Sequence, residues 1–137
     1  MKLKIYFDEV SEYVKAHYGK CVAVDGVSER ELRVTYEQTV LFTSAKVSVN
    51  LKVEDVRPDG LTLAYDGAFG VDLMIAGALK FLKYGLPELS EAVVPEDGHR
   101  IRVELGQLPQ AQKALETLAL KDICVTDDGV VVEAALR

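Results

Sequence analysis

At 137 residues, 49% of them hydrophobic and 28% charged, the chain carries about one domain's worth of sequence and enough apolar mass to fold without a metal or disulfide framework, which excludes disorder. Sixteen basic residues against twenty-two acidic ones leave a net charge of −6, which opposes a phosphate backbone or an anionic bilayer. No basic run with interleaved aromatics offsets it, so nucleic acid is not an expected partner.

Leu3, Ile5 and Phe7 alternate with Lys4 and Tyr6, the period of two of a half-buried strand. Asp8 then stands as the N-cap of an amphipathic helix, with Val10, Tyr13, Val14 and His17 at i, i+3, i+4 and i+7 and Gly19 as its stop. The first residues reach acids before any long apolar stretch, so they form no secretory signal and the expected location is the cytoplasm. From Lys20 to Asp66 the pattern is β: Cys21 to Val24, Glu31 to Tyr36, and a long strand beginning near Val40. In that strand Val47, Val49, Leu51 and Val53 face one way and Lys46, Ser48, Asn50, Lys52 and Glu54 the other, one dry face and one wet. Arg57-Pro58-Asp59-Gly60 makes a turn, with Gly60 free to take a positive φ, and returns the chain through Leu61, Leu63 and Tyr65.

Ala68 to Tyr84 has the length of a helix of about 25 Å, closed by Gly85 and Pro87. Ala92 to Val94 and Arg100 to Leu105 flank the turn Pro95 to His99 as a second hairpin. Pro109 opens a third helix to Leu118, with Ala111, Ala114, Leu115 and Leu118 at helical spacing. A last hairpin, Leu120 to Val125 and Val130 to Leu136, turns at Asp127-Asp128-Gly129. No linker or composition shift divides residues 1–137 into more than one domain. Cys21 and Cys124, each inside an apolar run, read as small buried hydrophobes of a reducing compartment; a disulfide between them requires their strands to be neighbours.

The helix from Ala68 to Tyr84 is the anomaly. Asp72, Ala76, Lys80 and Lys83 share one narrow stripe, while Val71, Leu73, Met74, Ile75, Ala78, Leu79, Phe81 and Leu82 spread around the rest. A helix on one face of a sheet should be polar over about half its surface, so this one needs a further cover. Four fit: a curved sheet and the other helices wrapped around it, a second copy of the chain, a bound apolar ligand with Gly70, Gly77 and Met74 leaving room, or a membrane. A span is disfavoured by a length short of about 20 residues and by Asp72, Lys80 and Lys83.

Catalytic and metal chemistry find little purchase. His17 lies on an apolar helix face and His99 follows a turn glycine, so neither reads as the base of a nucleophile. No Gly-x-Ser-x-Gly elbow, Cys-x-x-Cys, His pair at helical spacing or calcium loop exists, so no catalytic residue, metal ligand or cofactor is expected. The acid pairs Glu54-Asp55, Glu96-Asp97 and Asp127-Asp128 sit at turns, where acids are favoured for backbone reasons. Gly67-Ala68-Phe69-Gly70 ahead of the helix lacks the further glycine and the lysine of a phosphate loop.

Laid over one another, Leu51 to Leu61 and Leu120 to Val130 share Leu, Lys, Val, Asp and Gly. The apolar phase slips between Val53 and Val56 in the first and between Leu120 and Ile123 in the second, the sign of a bulge before each turn. Recurrent Asp-Gly hairpin chemistry explains the likeness without a true repeat. The segments Leu51 to Leu63 and Leu120 to Val132, with the passage from Lys46 to Leu105, also resemble the strand-Asp-Gly-strand units of small AsmA-like and tubular lipid-binding (TULIP) bacterial domains. That resemblance implies a long curled antiparallel sheet wrapped around a helix, with a groove for acyl chains.

The expected fold is therefore α+β, a curved antiparallel sheet of seven or eight strands with three helices, the central one deeply buried. The expected function is non-catalytic: an apolar small molecule or lipid acyl chain held by Val71, Met74, Ile75, Ala78, Leu79 and Leu82 of the helix and Val47, Val49 and Leu51 of the sheet. A homodimeric interaction module without ligand is the alternative, and an enzyme without a recognisable motif the third class.

Overall fold

The alternating segments become strands and the 3.6-period segments helices in the computed structural model, which describes residues 1–40, 43–67 and 71–137. In chain order these are β1 (Lys2–Tyr6), α1 (Phe7–Tyr18), β2 (Cys21–Ser28), β3 (Glu31–Val40), β4 (Thr43–Arg57), β5 (Gly60–Gly67), α2 (Val71–Gly85), α3 (Pro87–Ser90), β6 (Val93–Glu96), β7 (Arg100–Glu104), α4 (Pro109–Thr117), β8 (Leu118–Val125) and β9 (Gly129–Leu136). The fold is α+β, as expected. The strands form two antiparallel sheets rather than one of seven or eight strands: a six-stranded sheet in the order β2-β3-β4-β5-β7-β6 and a three-stranded sheet in the order β1-β9-β8.

In the larger sheet the cross-strand register sorts the residues cleanly. Val24, Val34, Val49 and Gly67 lie in one row and Leu32, Leu51 and Tyr65 in the next, so one face is apolar. The other face carries a polar ladder: Thr35 and Ser48 hydroxyls 2.9 Å apart, Arg33 Nε donating to Asn50 Oδ1 at 2.9 Å, and Arg102 Nη1 donating to Glu96 Oε1 at 2.9 Å. The acid pairs at the turns take part in this surface pairing, Glu54 with Arg100 and Asp55 with Arg57, both at 2.7 Å. Exposed pairs of this kind add little stability each.

The small sheet closes one end of the large one. Strand β8 crosses its hairpin turns, with Leu120 N–H donating to Pro58 O at 2.9 Å and Val125 N–H to Glu29 O at 2.8 Å. Arg30 Nη1 adds a bond to Ile123 O at 2.7 Å and an ion pair to Asp122. The bulges fall where the apolar phase slips, at Glu54 between Val53 and Asp55 and at Lys121 between Leu120 and Asp122.

Several local expectations are corrected. The first helix begins at Phe7, not after an Asp8 cap, and the Tyr6 N–H donates to the Glu9 carboxylate at 3.2 Å; Gly19 ends it at φ 64° as expected. Gly60 does not adopt a positive φ; a side chain there would run into the Val103 carbonyl oxygen, so close approach of strands demands glycine. Gly129, its counterpart in the second hairpin, meets the same constraint, with a Cβ placed 2.5 Å from Ile5 O. Pro95 falls inside β6, tolerated because β6 is an edge strand. A fourth helix, α3, forms where only a stop was expected, because Pro87 suits a helix's first turn. Cys21 is exposed rather than buried, since its neighbour Val22 takes the apolar face, and both cysteines are free. The long strand begins at Thr43 rather than near Val40, which ends β3 and pairs with Thr43; Leu41, Phe42 and the segment Ala68-Phe69-Gly70 lie outside the described residues.

The central helix is not deeply buried. Val71 is its only buried residue, and Leu73 and Tyr84 are 78% and 71% exposed. The helix lies against the large sheet on one side; on its outer side Phe81 meets Tyr18 of α1, while Leu73 and Tyr84 stay in solvent.

Candidate functional site

Helix α2 sits on the apolar face of the large sheet. A Cβ on Gly67, in the row of Val49, would project 3.1 Å from Val71 Cγ2, which fixes the side of the sheet on which the helix begins. At the same end Tyr65 stacks on His99, with ring centroids 5.1 Å apart, and His99 Nε2 lies 3.5 Å from Asp72 Oδ1. His99 holds φ 57°, a left-handed conformation that follows Gly98 in the turn between β6 and β7. At the other end Phe81 meets Tyr18 of α1 edge to face at 5.7 Å.

Among the nine residues expected to line an apolar site, Val49 and Val71 are buried, and Val47, Leu51, Met74, Ile75, Leu79 and Leu82 are half-buried. Ala78 is exposed. The helix therefore turns Val71, Met74, Ile75, Leu79 and Leu82 to its less exposed side, while Val47, Val49 and Leu51 share the sheet's apolar face. Facing rows in a closed two-layer core are buried throughout; here most are only half-buried, and among the described residues no large side chain is fully buried.

Helix α2 leaves a second apolar surface outward: Leu73, Gly77, Phe81 and Tyr84 at i, i+4, i+8 and i+11, all exposed, beside Lys80 and Lys83. The total accessible surface is 9024 Å², against about 7,100 Å² for a compact monomer of 15.1 kDa, a surplus of roughly 1,900 Å².

Two concavities lie away from the nine residues. One, of about 400 Å³, is lined by Asp59, Gly106, Gln112, Leu115, Glu116 and Arg137, with Arg137 paired to Asp59. The other, of about 460 Å³, lies where α1 meets α3 and α4, and Tyr13, Tyr18, Leu86, Pro87, Glu88 and Gln110 line it. Burial holds the Tyr18 phenol above its ordinary value, and the neighbouring Tyr13 phenol adds to the effect. Sequence periodicity placed Tyr13 on the packing face of α1 but carried no signal for this groove, because Glu88 and Gln110 come from distant segments.

His17 is exposed and stacks on Tyr13 at 4.0 Å, its Nδ1 3.0 Å from Tyr13 O. Among the described residues no three His, Cys, Asp or Glu side chains gather as a metal site, and no helix is long and apolar enough to cross a membrane. No protein-family model, curated protein or solved structure matches the chain.

Proposed function

We propose that this chain is a non-catalytic binding module whose trough between α2 and the apolar face of the large sheet takes an apolar small molecule or a lipid acyl chain. The observation that supports the reading is the incomplete burial of both facing rows, Val47 and Leu51 on β4 and Met74, Ile75, Leu79 and Leu82 on α2. An acyl chain gains about 0.8 kcal/mol for each methylene it buries there, so a trough of this length offers useful affinity without a polar anchor. Native mass spectrometry against the denatured mass tests it. The expected result is a noncovalent adduct that Ile75→Glu abolishes and Leu73→Glu keeps, since these residues stand about 200° apart around the helix. A bare monomer after incubation with fatty acids overturns the reading.

A homodimer is the second reading, and the outward stripe Leu73, Phe81 and Tyr84 favours it, because exposed apolar patches commonly mark contacts. It reverses the variant pattern: Leu73→Glu dissolves the dimer, and no adduct is seen.

A further inference from the structure

In the small sheet the register puts Leu3, Val132 and Ile123 in one row and Ile5, Val130 and Val125 in the next, all on one face, which Leu136 continues. Lys2, Glu133 and Asp122 share a row of the other face, with Lys4 beside them. Alternation thus sorts the paired charges of the three strands onto one face and aliphatic side chains alone onto the other, the pattern of a sheet with one wet and one dry face. The chain covers that dry face only at its inner edge. Val125 is 5% exposed where β8 bonds to Glu29, Val130 and Val132 on β9 are half-buried, and Leu3 and Leu136 are 62% and 79% exposed.

A cover for the open part has to match a flat, aliphatic, uncharged surface. Neither concavity described above includes any of these residues, so a small molecule gains no enclosure from them. The face also presents no aromatic or basic side chain of the kind that seats a protein among lipid headgroups. The same face of a second copy does match it: two such sheets pack about 10 Å apart with interdigitating side chains, and a two-fold axis between them satisfies both copies at once. A stable dimer covers about 800 Å² of each partner, which fits within the roughly 1,900 Å² by which the chain's surface exceeds that of a compact monomer.

We propose that the chain dimerises through the aliphatic face of β1, β9 and β8, sheet against sheet across a two-fold axis. The inference is independent of the trough and uses no residue of α2, so the test takes the full chain carrying Leu73→Glu, in which a contact through α2 is removed. Sedimentation velocity between about 1 and 200 µM is expected to show a dimer with a dissociation constant of about 10 µM or below. Adding Leu3→Glu, or Leu136→Glu on the neighbouring strand, weakens it about thirtyfold, because each puts an unpaired carboxylate into a dry interface. Lys2→Glu, on the opposite face, changes it less than about threefold. Both leucines are exposed in the single chain, so an unchanged far-ultraviolet circular dichroism spectrum accompanies the loss of the dimer. A wild-type tetramer that Leu73→Glu and Leu3→Glu each reduce to a dimer also supports the proposal, since two different two-fold contacts close in that way. A Leu73→Glu chain that stays monomeric to about 200 µM, or a dimer that survives both Leu3→Glu and Leu136→Glu, overturns it. So does a monomer that floats with phosphatidylcholine vesicles until Leu3→Glu is introduced, which assigns the face to a lipid surface.

Discussion

Two glycine-to-alanine substitutions have opposite signs by the same steric argument. Gly77 lies inside α2, where a Cβ meets nothing within 4 Å, so alanine removes only the excess backbone freedom of the unfolded chain. The expected gain is about 0.8 kcal/mol, a rise of about 3 °C in melting temperature for a chain of this size. At Gly129 a Cβ falls 2.5 Å from Ile5 O and 3.2 Å from the Tyr6 Cα, and all of these atoms are backbone that cannot rotate aside. Strand β1 must then shift, straining its pairing with β9 and the Phe7 N–H bond to Asp128 O, 2.9 Å in the native chain. Overpacking of this kind costs about 2 kcal/mol, a fall of about 7 °C. Urea unfolding of both variants at two protein concentrations reads the effect as a change in midpoint at constant slope. A neutral Gly129→Ala refutes the close approach of β9 and β1. A destabilising Gly77→Ala refutes the open outer face of α2, and if the loss grows with protein concentration, it identifies a second copy as the cover.

The Arg30 guanidinium bonded to Asp122, and the Lys4 ammonium bonded to Asp128, hold both carboxyls below their ordinary value. Their contribution to stability is therefore complete above the unfolded carboxyl value near pH 3.9 and lost as the pH falls through the lowered folded values, so Asp122→Asn flattens the acid limb of the stability curve read by urea midpoints between about pH 6 and pH 2.5. Both pairs are part-exposed, and salt shrinks the effect. Cys21, exposed on β2, reacts with a thiol reagent ahead of half-buried Cys124, and equal rates in the native protein contradict that placement. Val49, 3% exposed, loses about 2 kcal/mol on truncation to alanine, readable by the same unfolding assay, and a loss below about 0.5 kcal/mol shows that the sheet's apolar face is not packed there.

Much of the chain's local structure was legible, because strand alternation and helix periodicity are set by residues a few positions apart. The phase slips near Val53 and Leu120 marked real bulges, and Asp59-Gly60 and Asp128-Gly129 both stand at hairpin turns. What escaped was the assembly of those parts. Nothing in the pattern distinguishes one sheet from two, because the second sheet depends on β1 pairing with β9, from opposite ends of the chain, and its docking on β8 bonds to Pro58 and Glu29, across about 60 and 95 residues of sequence. The reason for glycine at positions 60 and 129 was hidden likewise: a turn explains a glycine locally, whereas here the third strand demands it. On α2 periodicity marks the polar stripe Asp72, Ala76, Lys80 and Lys83, all exposed, but does not divide the apolar residues, of which Leu73, Ala78 and Phe81 are exposed and Met74, Ile75, Leu79 and Leu82 half-buried. Deep burial of the helix was inferred from apolar content alone, and content does not say on how many sides a helix has neighbours.

The surplus surface bears on which neighbour α2 lacks. A standard interface covers about 800 Å² of each partner, so one symmetric contact through Leu73, Phe81 and Tyr84 removes less than half of the roughly 1,900 Å² in excess. Strand β1 holds another share in exposed Met1, Leu3 and Ile5, but it is a short edge strand carrying Lys2 and Lys4, features that discourage pairing with a further strand. The incompletely buried residues between α2 and the sheet, Val47, Leu51, Met74, Ile75, Leu79 and Leu82, hold a third share, and a second copy docked on the outer stripe of α2 does not reach them, because the helix itself stands between. A ligand between α2 and the sheet and a partner on the stripe would therefore address different surface, so a dimer that also carries an adduct excludes only the ligand-free form of the second reading. Ile75→Glu and Leu73→Glu then report on separate events, loss of adduct from the first and loss of dimer from the second, and a variant that loses both requires the trough and the stripe to be coupled through the position of α2.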